Sequence, residues 1–468
     1  MAPITEESVV QAARAFGFTV PEADVGDYKQ LLERTKTTFD TIMDMEDNIA
    51  MAEVPCLLGT ASFTGWVPKT DATVVSRILN NGGIIAGKAV CENLSRGAAS
   101  STAATGPIDN PYAKRYCAGG SSSGTAALVA SGAVDMGIGC DQGGSIRIPA
   151  SLCGLYGFKA TTGLVPYTGI ASNDAAVDYV GPMTRTCMDC ATLLEAIAGV
   201  DGLDDRQVAG VPFPGDVPRY REILQKTKQQ GVKGMKIGIL KEGVASPLLD
   251  PEVDKKFRAA VAGFENLGAT VVEISVPMHG LGRSIYSTMS KMGNHMGMLG
   301  RATGRRQVML TDLFEKKGLP YTQDALEKMN TVSKEGLIAG EYGWTHYPLA
   351  YSKAVNLNRK LKDEYNAALE VVDLLVMPTT VAPSNPHPGD DATPLEQISA
   401  SAGKLENTSQ FNGTGHPALA MPIGFVPAKA DSSIKLPASM QIAGKFWDEA
   451  KILQAAYEWE NAHDWKTF

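Results

Sequence analysis

Apolar residues recur at helical spacing over 6–16 and 25–45, where Leu31, Leu32, Phe39 and Ile42 repeat and Pro21 breaks the run between the two stretches. Residues 1–45 therefore read as an appended N-terminal helical segment. From Asp71 the pattern changes. Asp71 is expected to cap a helix over 71–79, and Gly83-Ile-Ile-Ala-Gly-Lys-Ala-Val90 reads as a short buried strand. A helix over 125–131, a strand over 134–139, a helix beginning near Ser145 and an apolar run over 155–159 follow. The alternation resumes with a strand over 235–240, a helix over 251–267 and a strand over 270–276. It continues with apolar runs over 371–377 and 419–424 and closes on an amphipathic helix over 447–463. Strands alternating with helices predict a single α/β domain over 48–468, with a parallel-rich sheet covered on both faces. Residues 201–234 carry Pro212, Pro214 and Pro218 and read as an irregular internal connection. Residues 280–350, rich in Met, Gly and basic residues, fit substrate-facing helices.

Composition narrows the function. The 468 residues carry 43 Lys and Arg against 51 Asp and Glu, a net charge of −8, which argues against a nucleic-acid partner bound by phosphate neutralisation. The acidic N-terminus does not read as a signal peptide, and no apolar run reaches the roughly 18 residues of a spanning helix. A soluble, cytoplasmic protein with no membrane partner is expected. The seven cysteines are odd in number and scattered, so they read as reduced, and Cys187-Met-Asp-Cys190 reads as two structural thiols at a helix start.

The densest chemical signal is a pair of glycine-serine loops, Gly119-Gly-Ser-Ser-Ser-Gly124 and Asp141-Gln-Gly-Gly-Ser-Ile-Arg-Ile-Pro149. Neither carries the Lys-Ser/Thr of a P-loop or the G-x-G-x-x-G of a dinucleotide fold, so a phosphate cradle is the weaker reading. A serine nucleophile at Ser145 is the better one, because Gln142, Gly143 and Gly144 can turn successive backbone N–H groups toward an oxyanion beside it. None of the six histidines, His279, His295, His346, His387, His416 and His463, sits in a recognisable base motif, and Ser145 lacks the G-x-S-x-G elbow. A base other than histidine is indicated, with Ser121 as the hydroxyl that relays the proton.

These loops, together with Gly157-Phe-Lys-Ala-Thr-Thr-Gly-Leu-Val-Pro166, Val376-Met-Pro-Thr-Thr380 and Phe411-Asn-Gly-Thr-Gly-His-Pro-Ala418, resemble the amidase signature family from about Asn48 to the C-terminus. Within it, Cys140-Asp-Gln-Gly-Gly and Gly163-Leu-Val-Pro-Tyr-Thr-Gly169 are most similar to acyl amidases of bacterial nitrile-hydratase clusters and their fungal relatives. The resemblance implies an α/β fold on a central mixed, twisted sheet covered by helices on both faces. It also implies a Ser-cisSer-Lys triad that hydrolyses small carboxylic amides through an acyl-enzyme, without metal or organic cofactor. On that pattern Ser145 is the nucleophile, Ser121 the relay entered through a cis peptide, and Gln142, Gly143, Gly144 and Ser145 the oxyanion donors. Arg147 and Asp141 flank the nucleophile, as a structural salt bridge or as catalytic groups. The family often forms homodimers, and the resemblance carries that expectation too.

The triad lysine is where this chain departs from the pattern: Glu46, in Met45-Glu-Asp-Asn48, occupies its position, and helical text precedes it where the family has an apolar strand. A segment is therefore expected to be absent here, through a spliced or mis-predicted gene model or a real deletion. Lys88 resembles a second lysine common in the family, and a structural role is the favoured reading for it. Three functional readings follow: an amidase impaired by the lost lysine, a binding protein that keeps the fold without the proton relay, and an amidotransferase subunit.

Overall fold

Four apolar residues in succession, Leu374 to Met377, form a strand buried on both faces, and the main sheet assembles around it. The computed structural model describes residues 3–43, 54–228, 230–301, 303–317 and 321–468. The chain divides into two compact units, Met1–Met51 and Ala52–Phe468. In the first, α1 (Glu6–Arg14) is capped by Thr5, whose hydroxyl accepts the Ser8 N–H at 3.2 Å, and α2 (Val25–Met43) packs on it through Val9, Ala13, Val20 and Leu32. Leu31, Phe39 and Ile42 are exposed.

The second unit opens with α3 (Thr73–Asn80), the small hairpin β1 (Asp109–Asn110) and β2 (Ala113–Cys117), α4 (Ser123–Ala130), β3 (Met136–Asp141) and α5 (Arg147–Cys153). Then come β4 (Tyr156–Lys159), β5 (Tyr179–Thr184), α6 (Cys187–Ile197), α7 (Tyr220–Thr227), β6 (Lys236–Leu240), α8 (Pro251–Asn266) and β7 (Thr270–Ile274). A helical stretch follows: α9 (His279–Met298), α10 (Thr311–Lys317), α11 (Gln323–Glu327), α12 (Thr331–His346) and α13 (Ala350–Val371). The chain closes with β8 (Leu374–Pro378), α14 (Pro394–Ser399), α15 (Ser409–Thr414), β9 (Ala418–Pro427), β10 (Lys435–Gly444) and α16 (Glu449–Ala462).

The eight-stranded sheet runs β3-β5-β4-β9-β10-β8-β6-β7. It is α/β and mixed, with helices on both faces, but it is not the parallel-rich sheet that alternating strands and helices predict. Only β8–β6 and β6–β7 are parallel. The reason lies in strand order: β5 lies antiparallel between β3 and β4, and the β9–β10 hairpin is inserted between β4 and β8, so consecutive strands are seldom joined by a crossover to a neighbour.

Two local expectations are corrected. The α3 helix starts at Thr73 behind Ala72, with no side-chain cap, so Asp71 does not cap it. Residues 83–90 form no strand: Ile84 is 92% and Ile85 40% exposed, and β3 is the edge of the sheet with no neighbour on its outer side among the described residues. An apolar run forms a strand only where another strand accepts its hydrogen bonds.

Alternation along the central strands divides the core. Leu374, Val376, Leu419, Met421, Met440 and Ile442 point to the face covered by α6, α8 and α16, where Cys187 and Cys190 are fully buried. Leu375, Met377, Ala418 and Ala443 point to the opposite face, where α13 and α15 pack through Leu361, Tyr365 and Phe411. The small residues on that face let α4 and α5 approach against Ala420 and Met183.

Two histidines are sealed into the second face. His279 bonds Tyr365 Oη and Asn407 Oδ1 at 2.5 and 3.0 Å, and His416 bonds Thr414 and Asn366, both at 3.0 Å. Burial lowers both pKa values, to about 4 for His279 and about 3 for His416. The unfolded chain takes up these protons first as pH falls below 6.5, so each contributes stability that is lost between its unfolded and its folded pKa. His279→Gln is expected to lose less stability than the parent between pH 7.5 and 5, read by urea denaturation at both values, by an amount on the order of 2 kcal/mol.

Candidate active site

Two loops meet where α4 and α5 begin. The Gly120–Ser121 peptide is cis, and the next N–H, from Ser122, donates to the Ser145 carbonyl at 3.3 Å. The Ser122 hydroxyl accepts the Cys140 N–H and donates to the Cys140 carbonyl, both at 3.1 Å, fixing the first loop to β3. Ser121 is buried, and Ser145 is the one partly exposed residue among Asp141–Ile146. Ser121 and Ser145, singled out from the loop motifs, thus stand on adjoining loops.

Asp141 and Arg147, both fully buried, hold the second loop from below. Arg147 Nε and Nη2 donate to the two Asp141 oxygens at 3.0 and 3.1 Å. The remaining donors reach the Thr408 carbonyl at 2.9 Å and Gln441 Oε1 and Asn412 Oδ1 at 2.7 Å each, so all five guanidinium N–H groups are used. Asp141 also accepts Ile146 N–H at 3.1 Å and Asn412 Nδ2 at 2.8 Å. Burial pushes the Asp141 carboxyl up, but Arg147 and these hydrogen bonds outweigh it and leave the pKa below the usual carboxylate range.

The backbone donors separate by direction. The Gly144 N–H, expected among the oxyanion donors, is instead bound to Asp141 Oδ1 at 2.6 Å. Its φ of +133°, and the Thr408 hydroxyl standing where a Cβ would project, both require glycine there. The N–H groups of Gln142, Gly143 and Ser145 have no acceptor among the described residues. Thr408 Oγ1 donates to the Gly143 carbonyl at 2.7 Å, which fixes that peptide plane, and a Cβ at Gly143 would collide with Tyr286 Oη.

The first loop rests on a second buried carboxylate. Glu92 N–H donates to the Ser121 carbonyl at 3.0 Å, and a Cβ at Gly120 would lie 2.7 Å from Glu92 Oε1. The carboxylate accepts N–H groups from Ala99, Ser100 and Thr102 at 2.9, 2.5 and 2.8 Å, and the Thr102 hydroxyl. Burial dominates and raises its pKa.

No lysine or histidine nitrogen hydrogen-bonds the Ser121 or Ser145 hydroxyl among the described residues. Glu46 lies outside them. Lys88 is exposed and donates to the Val54 carbonyl at 2.5 Å. Lys159 is fully buried, donates to the Ala160 carbonyl and lies 3.9 Å from the centre of the Tyr179 ring, with its pKa well lowered by burial. The histidines find their partners elsewhere, His295 with Glu341 and His387 with Asp109.

Sequence reasoning singled out Asp141 and Arg147 but missed Glu92, Tyr286, Thr408 and Gln441. Gln441, in Pro437-Ala-Ser-Met-Gln-Ile-Ala-Gly444, and Asn412 stand inside segments that carry the family resemblance, and Glu92 lies four residues past Lys88, but no role is legible for them in the sequence. The buried pair generates a stability prediction. Arg147→Met leaves the Asp141 carboxylate uncompensated and is expected to cost about 3–5 kcal/mol by chemical denaturation. Arg147→Lys is expected to cost nearly as much, because an ammonium cannot supply five forked donors.

Comparison with known proteins identifies the family. The Amidase family model matches residues 43–453. An enantioselective amidase of Rhodococcus rhodochrous is 35% identical over 423 residues, covering 88% of this chain and 78% of the relative. A glutamyl-tRNA(Gln) amidotransferase subunit of Methanosarcina acetivorans is 31% identical over 90% of this chain and 84% of its own length. Among solved structures, native peptide amidase from Stenotrophomonas maltophilia superposes with a TM-score of 0.67 at 27% identity, covering 89% of this chain and 81% of that one. The corresponding amidotransferase subunit of Thermotoga maritima gives 0.68 at 26% identity, covering 88% and 80%. This chain belongs to the amidase signature family of hydrolases acting on amide carbon–nitrogen bonds.

Proposed function

We infer that the protein cleaves small carboxylic acid amides through an acyl-enzyme on Ser145, with Ser121 as the proton relay, and that its turnover is limited by Glu46 at the lysine position. The observation that carries this reading is the direction of the loop donors. Asp141 takes the Gly144 and Ile146 N–H groups, while those of Gln142, Gly143 and Ser145 have no acceptor among the described residues. Ser145 Oγ attacks the amide carbonyl carbon, and the developing oxyanion is stabilised by those fixed donors without reorganisation at the moment of reaction. The Ser145 proton passes through Ser121 to the leaving nitrogen, ammonia or amine departs, and water then hydrolyses the ester.

Glu46 supports a second reading, a protein that binds acyl amides without turning them over. A carboxylate with an ordinary pKa near 4.3 is a weaker base than a neutral desolvated amine. An amidotransferase component is the third reading, supported by the relatives named above and opposed by the net charge of −8, which offers no footprint for tRNA.

The test is amide hydrolysis by the parent and by Ser145→Ala, with the acyl-enzyme trapped from an activated ester and detected by mass. Ser145→Ala is expected to lose the acyl adduct and at least about a thousand-fold in any hydrolysis. Hydrolysis at the parental rate in that variant would remove the nucleophile assignment, and absence of both adduct and turnover in the parent would favour the binding protein. Replacing the residues around Glu46 by an apolar strand ending in lysine is expected to raise turnover. Glu46→Lys alone is expected to fall short, because helical text precedes that position.

A further inference from the structure

Cys117 and Lys404 form a buried pair that the chemistry above does not use. Cys117 ends β2, just ahead of Ser121, and Lys404 lies just ahead of Thr408. Lys404 Nζ donates to Cys117 Sγ at 2.9 Å, with the cysteine fully buried and the lysine 4% exposed. Lys404 has no carboxylate within ion-pair distance among the described residues. The sulfur also meets Ser384 Oγ and Asn385 Oδ1, each at 3.4 Å, and Ser384 Oγ donates to the Cys117 carbonyl at 2.5 Å.

Three observations give the pair a chemistry. Burial raises the Cys117 thiol, but Lys404 outweighs it and the pKa falls below the ordinary value, whereas burial drives Cys91 up to about 11 and Cys140 to about 12. The thiolate, the form that reacts with peroxides, is therefore reached more readily at Cys117 than at Cys91 or Cys140. Asn385, in contact with the sulfur, also lines a solvent-facing hollow with Pro386, Pro388 and Asp391, so a single residue separates the buried sulfur from a surface depression. The 2.9 Å between nitrogen and sulfur leaves room for a single bridging oxygen, whereas a direct bond would require the two atoms to approach far inside that separation.

We propose that Cys117 and Lys404 are a modification site for peroxide, joined on oxidation by a covalent sulfur–oxygen–nitrogen bridge. In the first step the thiolate attacks hydrogen peroxide: the O–O bond breaks, the S–O bond of a sulfenic acid forms, and the departing hydroxide takes a proton from the Lys404 ammonium and leaves as water, which frees the amine. In the second, a further peroxide accepts two electrons as the lysine nitrogen bonds the sulfenic oxygen. The amine and the sulfenic acid each give up one proton, and two waters leave. The bridge ties the segment leading to Ser121 to the segment leading to Thr408, which holds the Gly143 carbonyl.

The full chain treated with hydrogen peroxide and read by intact mass and peptide mapping tests this. The expected product is heavier by about 14 Da, one oxygen gained and two hydrogens lost, with the Cys117 and Lys404 peptides cross-linked and released by a thiol reductant. The product should be absent from Cys117→Ser and Lys404→Arg. Where either variant fails to fold, fragmentation of the cross-linked peptide from the parent decides the matter. Oxygen addition at Cys117 with Lys404 free, a direct sulfur–nitrogen link lighter by about 2 Da, or an unmodified Cys117 while other thiols oxidise would each overturn the proposal.

Discussion

The buried Asp141–Arg147 pair is the constraint on which the site depends. Two charges removed from water are costly unless every lone pair and proton finds a partner, and here Arg147 spends all five donors on Asp141, Thr408, Gln441 and Asn412. Those partners come from β3, the segment around α15, and β10, so the pair fastens three distant stretches of chain at one point. The same Asp141 accepts the Gly144 and Ile146 N–H groups, while the neighbouring Gln142, Gly143 and Ser145 donors have no acceptor among the described residues. A structural salt bridge and an arrangement of the reactive loop are thus one feature.

Packing on the rest of that face follows from the same requirement. Ala418, Ala420 and Ala443 are small where α4, α5 and α15 approach the sheet, beside the larger Leu375, Met377 and Met183 of the same face. Glu92 repeats the device for the first loop, a buried carboxylate satisfied by backbone donors whose own N–H holds the Ser121 carbonyl. The acyl chemistry inferred for Ser145 needs both loops held rigid, and two buried acids do so from opposite sides.

Residues 83–90 show the limit of local reading. Their apolar run has the composition of a strand, yet no strand pairs with it among the described residues, and Ile84 stands in solvent.

Local pattern determined much of this protein. Short apolar runs marked the strands near 236–240, 374–378 and 418–427, helical spacing marked the helices near 251–266 and 449–462, and the glycine-serine text marked the two loops of the candidate site, because these signals arise from contacts a few residues apart. Tertiary structure decided the rest. Strand order, and with it the mixed rather than parallel sheet, depends on which distant strands pair. The partners of Arg147, the burial of Glu92 and the meeting of Cys117 with Lys404 join positions up to 294 residues apart, and no local period encodes such contacts. Even the Gly144 N–H, which the sequence offers to an oxyanion, is claimed by Asp141, because the fold aims each peptide plane and the sequence only makes the turn possible.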